Sequence, residues 1–302
     1  MQFAKAVRRK AKLRLALTGP SGSGKTLGAL MIAKGLGGRI AVLDTEHGSA
    51  SLYAEPMRLA DGSVFEPPEF DTLELEPPYS PERYIEAIKA AERAGYAVLI
   101  IDSTTHEWSG SGGCLEINDD LARAKFKGNT WSAWNETTPR HRAFIDAMLQ
   151  SKMHIIATGR SKTETAQTED GGRKKVVKLG MKTEQRDGFE YEFTAVLDLV
   201  HEGHYANASK DRTGLFVGDP RAITEETGFS LREWLESGAD AAPEQTWFGP
   251  HLQAIEESDS RGKLEEAWEN AKAACKLKGD MKAYGTLKAA MESVAHNLKE
   301  QA

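Results

Sequence analysis

The sequence predicts an α/β fold: a mostly parallel central sheet with helices packed on it, then a small C-terminal helical module. Three observations predict it. Short apolar runs recur at residues 13–17, 38–44, 97–102 and 153–158, each of a length that suits a strand buried on both faces. Segments with helical spacing alternate with them, at residues 26–35, 80–94 and 138–150. A glycine-rich turn joins the first strand to the first helix, as a βα connection requires.

At 302 residues the chain is long enough for one sizeable α/β domain and a small appendage. It holds no long apolar run, so no membrane span is expected. The basic first residues lead into the first strand without the apolar core or small-residue cleavage site of a signal peptide, and a cytoplasmic location is expected. The two cysteines, Cys114 and Cys275, lack the spacing of a disulfide framework or a zinc site and fit a reducing compartment. The net charge of −6 excludes a basic nucleic-acid coat, so any DNA contact must come from local patches.

In chain order, the first strand runs into Gly19, Pro20, Ser21, Gly22, Ser23, Gly24, Lys25 and Thr26, which match G-x-x-x-x-G-K-[ST] at every fixed position. The three glycines let the backbone curl so that successive N–H groups converge on a phosphate chain. Lys25 would reach the β- and γ-phosphates of a triphosphate, and the Thr26 hydroxyl would ligate Mg²⁺. The following helix aims its N-terminal partial charge at the same point. A chance glycine-rich turn is the alternative, and the strand before and helix after argue against it.

The second strand ends in Thr45-Glu46-His47-Gly48. A carboxylate there sits at the carboxyl edge of the sheet, where α/β proteins bind ligands. Glu46 could orient or deprotonate a water, or it could be a solvated loop residue. Residues 53–80 are rich in proline and acid, with a strand expected at 70–75. Ser80 caps a helix with Pro81 at its first position and Gly95 at its end. The next apolar run closes in Asp102, which would hold Mg²⁺ through water; the other reading is a helix-capping aspartate.

Residues 103–138 read as irregular, apart from a polar, partly helical stretch with Lys125 and Lys127. Trp131 and Trp134 follow, and aromatics among lysines suit stacked bases as well as loop packing. A helix is expected to start at Thr138-Pro139. The strand at 153–158 ends at Gly159-Arg160, where Arg160 could sense a γ-phosphate or form a structural ion pair. Residues 162–181 read as a hairpin turning at Asp170-Gly171-Gly172. Its return strand and the residues after it carry Arg173, Lys174, Lys175, Lys178 and Lys182, a run that suits DNA phosphates and a solvated face equally.

A second hairpin, 194–200 with 204–209, leads to Lys210 and Arg212. These cations could reach a phosphate across a subunit interface, or sit on a solvated turn. A short helix at 231–235 closes a core of residues 1–237. Residues 238–246 are a linker by composition, and 247–302 form two or three amphipathic helices, an interaction or oligomerisation module with nothing catalytic in it.

Over residues 12–236 this pattern resembles a RecA-type P-loop ATPase. The LDTEH segment at 43–47 is similar to the RecA segment that carries the catalytic glutamate, which puts that role on Glu46. Residues 70–103 follow the RecA run of strand, helix and magnesium-binding strand without gaps. Arg160 stands where the family usually has a γ-phosphate-sensing glutamine. The SKDRTG segment at 209–214 is similar to the K-x-R finger of the RadA and DnaB branches, which gives Lys210 and Arg212 a role in trans. The resemblance also places the first DNA-binding loop at 109–137 and the second at 161–187.

Within this group the chain looks like the short RecA-like ATPases of bacteriophages associated with single-strand annealing and recombination. That implies Mg·ATP hydrolysed between subunits of a homo-oligomeric filament or ring, single-stranded DNA as partner, and a single-strand-binding protein engaged by the C-terminal helices. A phage-encoded chain would work in the bacterial host cytoplasm. Two departures from full-length RecA bear on filament geometry: the N-terminal helix and strand used for polymerisation are not matched unless residues 1–12 serve, and the C-terminal module is shorter. The rival readings are a nucleotide-gated interaction switch that loads a helicase, and a helicase-like motor. A small-molecule kinase lacks its Arg-rich lid here, and a nuclease its carboxylate cluster.

Overall fold

The computed structural model describes residues 5–59, 62–170, 173–239 and 247–300; within 163–170, 173–181 and 299–300 it describes the backbone alone. The chain divides into two units, Met1–Gly238 and Ala239–Ala302.

In the first unit the elements follow as β1 (Arg14–Gly19), α1 (Lys25–Leu36), β2 (Ile40–Asp44), β3 (Met57–Arg58), β4 (Val64–Phe65), β5 (Phe70–Glu74), α2 (Pro81–Arg93), β6 (Val98–Asp102), α3 (Thr105–Ser109), α4 (Cys114–Lys125), α5 (Thr130–Gln150), β7 (His154–Asp170), β8 (Arg173–Thr183), β9 (Ala195–Leu199), β10 (Tyr205–Asp211), β11 (Arg221–Ala222) and α6 (Glu225–Glu236). The sheet order is β11-β10-β9-β1-β7-β6-β2-β5, with β8 paired to β7. From β9 to β5 every pairing is parallel. The pairings of β9 with β10, β10 with β11 and β7 with β8 are antiparallel. The central sheet is therefore mostly parallel, as the short apolar runs predict.

Alternation along the strands sends side chains to two separate cores. Leu15, Leu17, Val42, Ile100 and Ile156 pack on one face with Leu30 and Ile32 of α1 and Leu231 of α6. Ala16, Leu43, Leu99, Ile101 and Ile155 pack on the other with Tyr84 and Ile88 of α2 and Phe144 and Met148 of α5. All strands of the parallel part thus end at one carboxyl edge with both faces covered.

Two expectations are corrected. Residues 103–138 are largely helical rather than irregular, and α5 starts at Thr130, not at Thr138-Pro139. Asn129 is the N-cap, accepting a hydrogen bond from the Ser132 N–H at 3.1 Å. Pro139 lies inside the helix, on its exposed side, while buried Ala133 and Thr137 before it and Phe144 and Met148 after it hold the helix continuous. Thr137 Oγ1 also donates to Asn118 Oδ1 at 3.1 Å, tying α5 to α4. The second correction is that β7 does not stop near residue 158. It runs on without a break into the first strand of the expected hairpin and ends at Asp170; the hairpin itself is present, β7 pairing antiparallel with β8 from Ser161↔Thr183 to Asp170↔Arg173. The turn expected at Gly171-Gly172 lies outside the described residues.

The second unit holds α7 (Gly249–Glu256), α8 (Arg261–Lys278) and α9 (Met281–Glu300). They close on Ile255, Leu264, Ala271, Cys275, Ala283 and Leu287. Residues 240–246, most of the expected linker, lie outside the described residues. Among the described residues no helix is long and apolar enough to cross a membrane.

Candidate active site

The first βα connection builds the site. Gly22 and Gly24 take left-handed φ values of 75° and 89°, which a side chain would strain. Gly19 is needed for space, since a Cβ there would lie 2.6 Å from the Leu199 carbonyl oxygen. Ser21 is exposed and Pro20 half-buried, whereas Ser23 is buried under the loop. Lys25 Nζ folds back and donates to the carbonyls of Gly19 at 3.1 Å and Pro20 at 2.8 Å. Burial lowers its ammonium pKa, against the pull of Asp102 and Glu46.

The buried carboxylate of Asp102, at the end of β6, meets this loop. It accepts from Thr26 Oγ1 at 2.6 Å and from Thr158 Oγ1 at 2.5 Å. Burial raises its pKa, and the two hydroxyls offset part of the rise. Next to it, Asp44 is directly opposite Asp102 in the β2–β6 register. Asp44 accepts the N–H groups of Glu46 and Ala50 at 2.6 and 2.9 Å, so it shapes the turn and leaves Glu46 to face the site. Thr45 Oγ1 accepts the Ser103 N–H at 2.9 Å and lies 2.7 Å from His106 Nδ1, locking the ends of β2 and β6 together.

Glu46 is ion-paired with Arg160: Oε1 lies 3.0 Å from Nε and 2.9 Å from Nη2. Burial pushes the Glu46 carboxyl up, but the Arg160 hydrogen bond and the charges of Arg160, His106 and Lys25 leave it below its usual value. The carboxylate is therefore ionised at neutral pH.

The oxygen-only set of Thr26 and Asp102 suits a hard divalent cation. Two buried hydroxyls, Ser103 Oγ beside Asp102 and Ser23 Oγ in the loop, lack a hydrogen-bond partner. The orphaned Ser103 hydroxyl beside Asp102, and a buried carboxylate whose hydrogen-bond partners are two neutral hydroxyls, fit a site that takes a cation.

Lys210 and Arg212 are not brought to this site within one chain. β10 runs antiparallel to β9, so Asp211 sits opposite Ala195 at the amino edge, a strand length of about 15 Å from the loop. Lys210 Nζ donates to the carbonyls of Glu190 and Tyr191 at 3.1 and 2.5 Å, and the Arg212 N–H donates to the Thr194 carbonyl at 3.0 Å.

Of the basic residues expected on DNA, Lys125 pairs with Glu136 at 2.7 Å and Lys182 with Asp187 at 2.7 Å. Lys127 is exposed at a left-handed φ of 52°. The side chains of Arg173, Lys174, Lys175 and Lys178 lie outside the described residues. Where the two expected DNA loops meet, a cleft of about 840 Å³ is lined by Trp108, Trp131, Trp134, Lys162, Lys182 and Arg186, among others. Trp134 stacks on Trp108 with ring centres 5.6 Å apart, Arg186 covers it at 5.4 Å, and Trp131 is 86% exposed.

Several site residues were not readable from the sequence. Thr158 and Thr45 carry no pattern beyond lying at strand ends. Glu107 is fully buried and joins three segments: it accepts from Cys114 Sγ at 3.1 Å and Gln185 Nε2 at 3.4 Å, and lies 3.0 Å from His141 Nδ1.

A family model described as an AAA domain matches residues 11–225. No curated protein matches the chain. Among solved structures, the crystal structure of the RadB recombinase is similar at 18% identity and a TM-score of 0.36, over 78% of this chain and 93% of that one.

Proposed function

This chain belongs to the AAA domain family, and from that premise we propose that it binds Mg·ATP at residues 19–26, hydrolyses it slowly between subunits, and uses the cycle to control single-stranded DNA binding in recombination or annealing of the bacteriophage type. The observation that carries the nucleotide half is convergence: Thr26 Oγ1 lies 2.6 Å from Asp102 Oδ2, with Lys25 and Glu46 at the same sheet edge. Mg²⁺ would be held by Thr26 and, through water, by Asp102, and when bound it supplies positive charge to the β- and γ-phosphate oxygens.

The chain's own residues do the rest. Lys25 exchanges two carbonyl partners for phosphate oxygens, a stronger charge-assisted contact. Glu46 takes the proton of the water that attacks the γ-phosphorus, and ADP leaves. A terminal phosphate competes with Glu46 for the Arg160 guanidinium, which frees the carboxylate when ATP rather than ADP is present. Lys210 and Arg212 reach the neighbouring protomer's phosphates.

Lys25→Ala should abolish ATP binding in a titration with a fluorescent ATP analogue; unchanged affinity would remove the site assignment. Glu46→Gln should keep nucleotide affinity while turnover falls about 10²–10⁴-fold.

The DNA half is supported by the cleft with its three tryptophans and three cations. Oligothymidylate should quench tryptophan fluorescence, with affinity that drops steeply as salt rises. A second reading is favoured by the ion pairs that already engage Lys125, Lys162 and Lys182. In that reading the protein is a nucleotide-gated switch that loads a helicase and touches DNA little. No oligothymidylate binding at low salt, with and without ATP, decides for it. In both readings the C-terminal unit is a docking module, for a single-strand-binding protein in the first.

A further inference from the structure

The turn between β9 and β10 lies along the phosphate loop and has no role in the mechanism above. A Cβ built on Gly22 would lie 3.5 Å from His201 Nε2, and one on Gly24 would lie 3.4 Å from His204 Nδ1. Both imidazoles are exposed, with ring centres 6.2 Å apart and planes inclined by 29°. No hydrogen bond or ion pair among the described residues uses either ring. His204 is held at a left-handed φ of 51°. Such a backbone is uncommon without glycine and collects at functional sites; His47, next to Glu46, shares it at 55°.

The sheet order gives this placement a meaning. Asp102, Glu46 and Arg160 belong to β6, the end of β2, and β7, all on one flank of β1, whereas β9 and the two histidines are on the other. A nucleotide with its terminal phosphate at Lys25, Asp102 and Glu46 extends its ribose and base away from that flank. We propose that His201 and His204 form the platform on which the nucleobase of ATP stacks, two flat rings free of other polar duties beside the loop. This inference rests on the reading of residues 19–26 as the ATP site.

The test compares ATP with inorganic tripolyphosphate, which has the same phosphates and no base. Both are titrated against a fluorescent ATP analogue on the full chain and on the double variant His201→Ala, His204→Asn. Asparagine tolerates the left-handed backbone, so the turn is preserved. The expected result is ATP affinity about 10–100-fold weaker with tripolyphosphate affinity unchanged, the size of a lost base stack. If both ligands weaken together, the histidines only brace the loop and the platform is refuted. Unchanged ATP affinity refutes it as well. Failure of the unmodified chain to bind either ligand removes the ATP site itself, and the platform with it.

Discussion

At the residue scale, the site shows which placements a linear pattern can carry. Lys25 and Thr26 were legible because eight consecutive residues specify the loop, and Asp102 because an apolar strand closes in an acid. Thr158 and Glu107 were not, because their partners lie far along the chain: Thr158 meets Asp102 across 56 positions and Gln185 meets Glu107 across 78. His154 is a further case, and it sets a pH dependence. Its Nδ1 accepts the Leu13 N–H at 3.1 Å, so the folded ring is neutral. Burial, then the charges of Lys12 and Arg14, lower its pKa to about 4 from an ordinary 6.5. The unfolded chain therefore binds more protons between those values. The stabilisation from neutral His154 is complete above pH 6.5 and is lost as pH falls towards 4. Denaturant melts at pH 7 and pH 5 should differ by about 1–2 kcal/mol from this residue. His154→Asn, whose carbonyl can accept the same N–H, should shrink that difference; an unchanged difference would mean that the imidazole titrates normally.

At the element scale, the parallel strands and α1 announce themselves through runs of large apolar residues, whereas α4 and the first half of α5 do not. Those helices bury Ala122, Ala133, Asn118 and Thr137, small or polar groups that leave no apolar period to read. The hairpin of β7 and β8 was legible from its turn residues, but the unbroken run of β7 through Gly159-Arg160-Ser161-Lys162 was not, because those residues are mostly small or polar and owe their strand form to pairing with β1 and β8. The α1–α6 crossing is another contact that no single segment reveals. A Cβ on Gly228 would lie 2.3 Å from the Ile32 carbonyl oxygen and 2.8 Å from Gly35 Cα, so the two helices touch backbone to backbone. Adding one methyl group must push α6 off α1 and off the core that holds Leu231. Gly228→Ala should lower stability by about 1–3 kcal/mol in spite of alanine's better helix propensity. A melting temperature at or above that of the unmodified protein would show that the helices can separate without cost.

At the scale of the whole molecule, the antiparallel turn of β10 has a mechanical consequence. It carries Lys210 and Arg212 to the amino edge of the sheet, while Lys25, Glu46 and Asp102 occupy the carboxyl edge. One chain therefore cannot bring both sets to one phosphate. If the cations act, they act on a neighbour, through a head-to-tail interface in which the carboxyl edge of one protomer faces the amino edge of the next. Two inactive variants then complement each other. Lys25→Ala removes the pocket and keeps the finger; Arg212→Ala removes the finger and keeps the pocket. Each alone should lose at least about 10³-fold in ATP turnover, the usual effect of removing a finger arginine. Mixed in equal amounts and allowed to exchange subunits, they place an intact pocket against an intact finger at about a quarter of the interfaces. Phosphate release by the mixture should rise to about that fraction of the unmodified rate. A mixture no faster than the sum of its parts would remove the role of Arg212 in trans, and an active Arg212→Ala alone would leave it no part in the reaction.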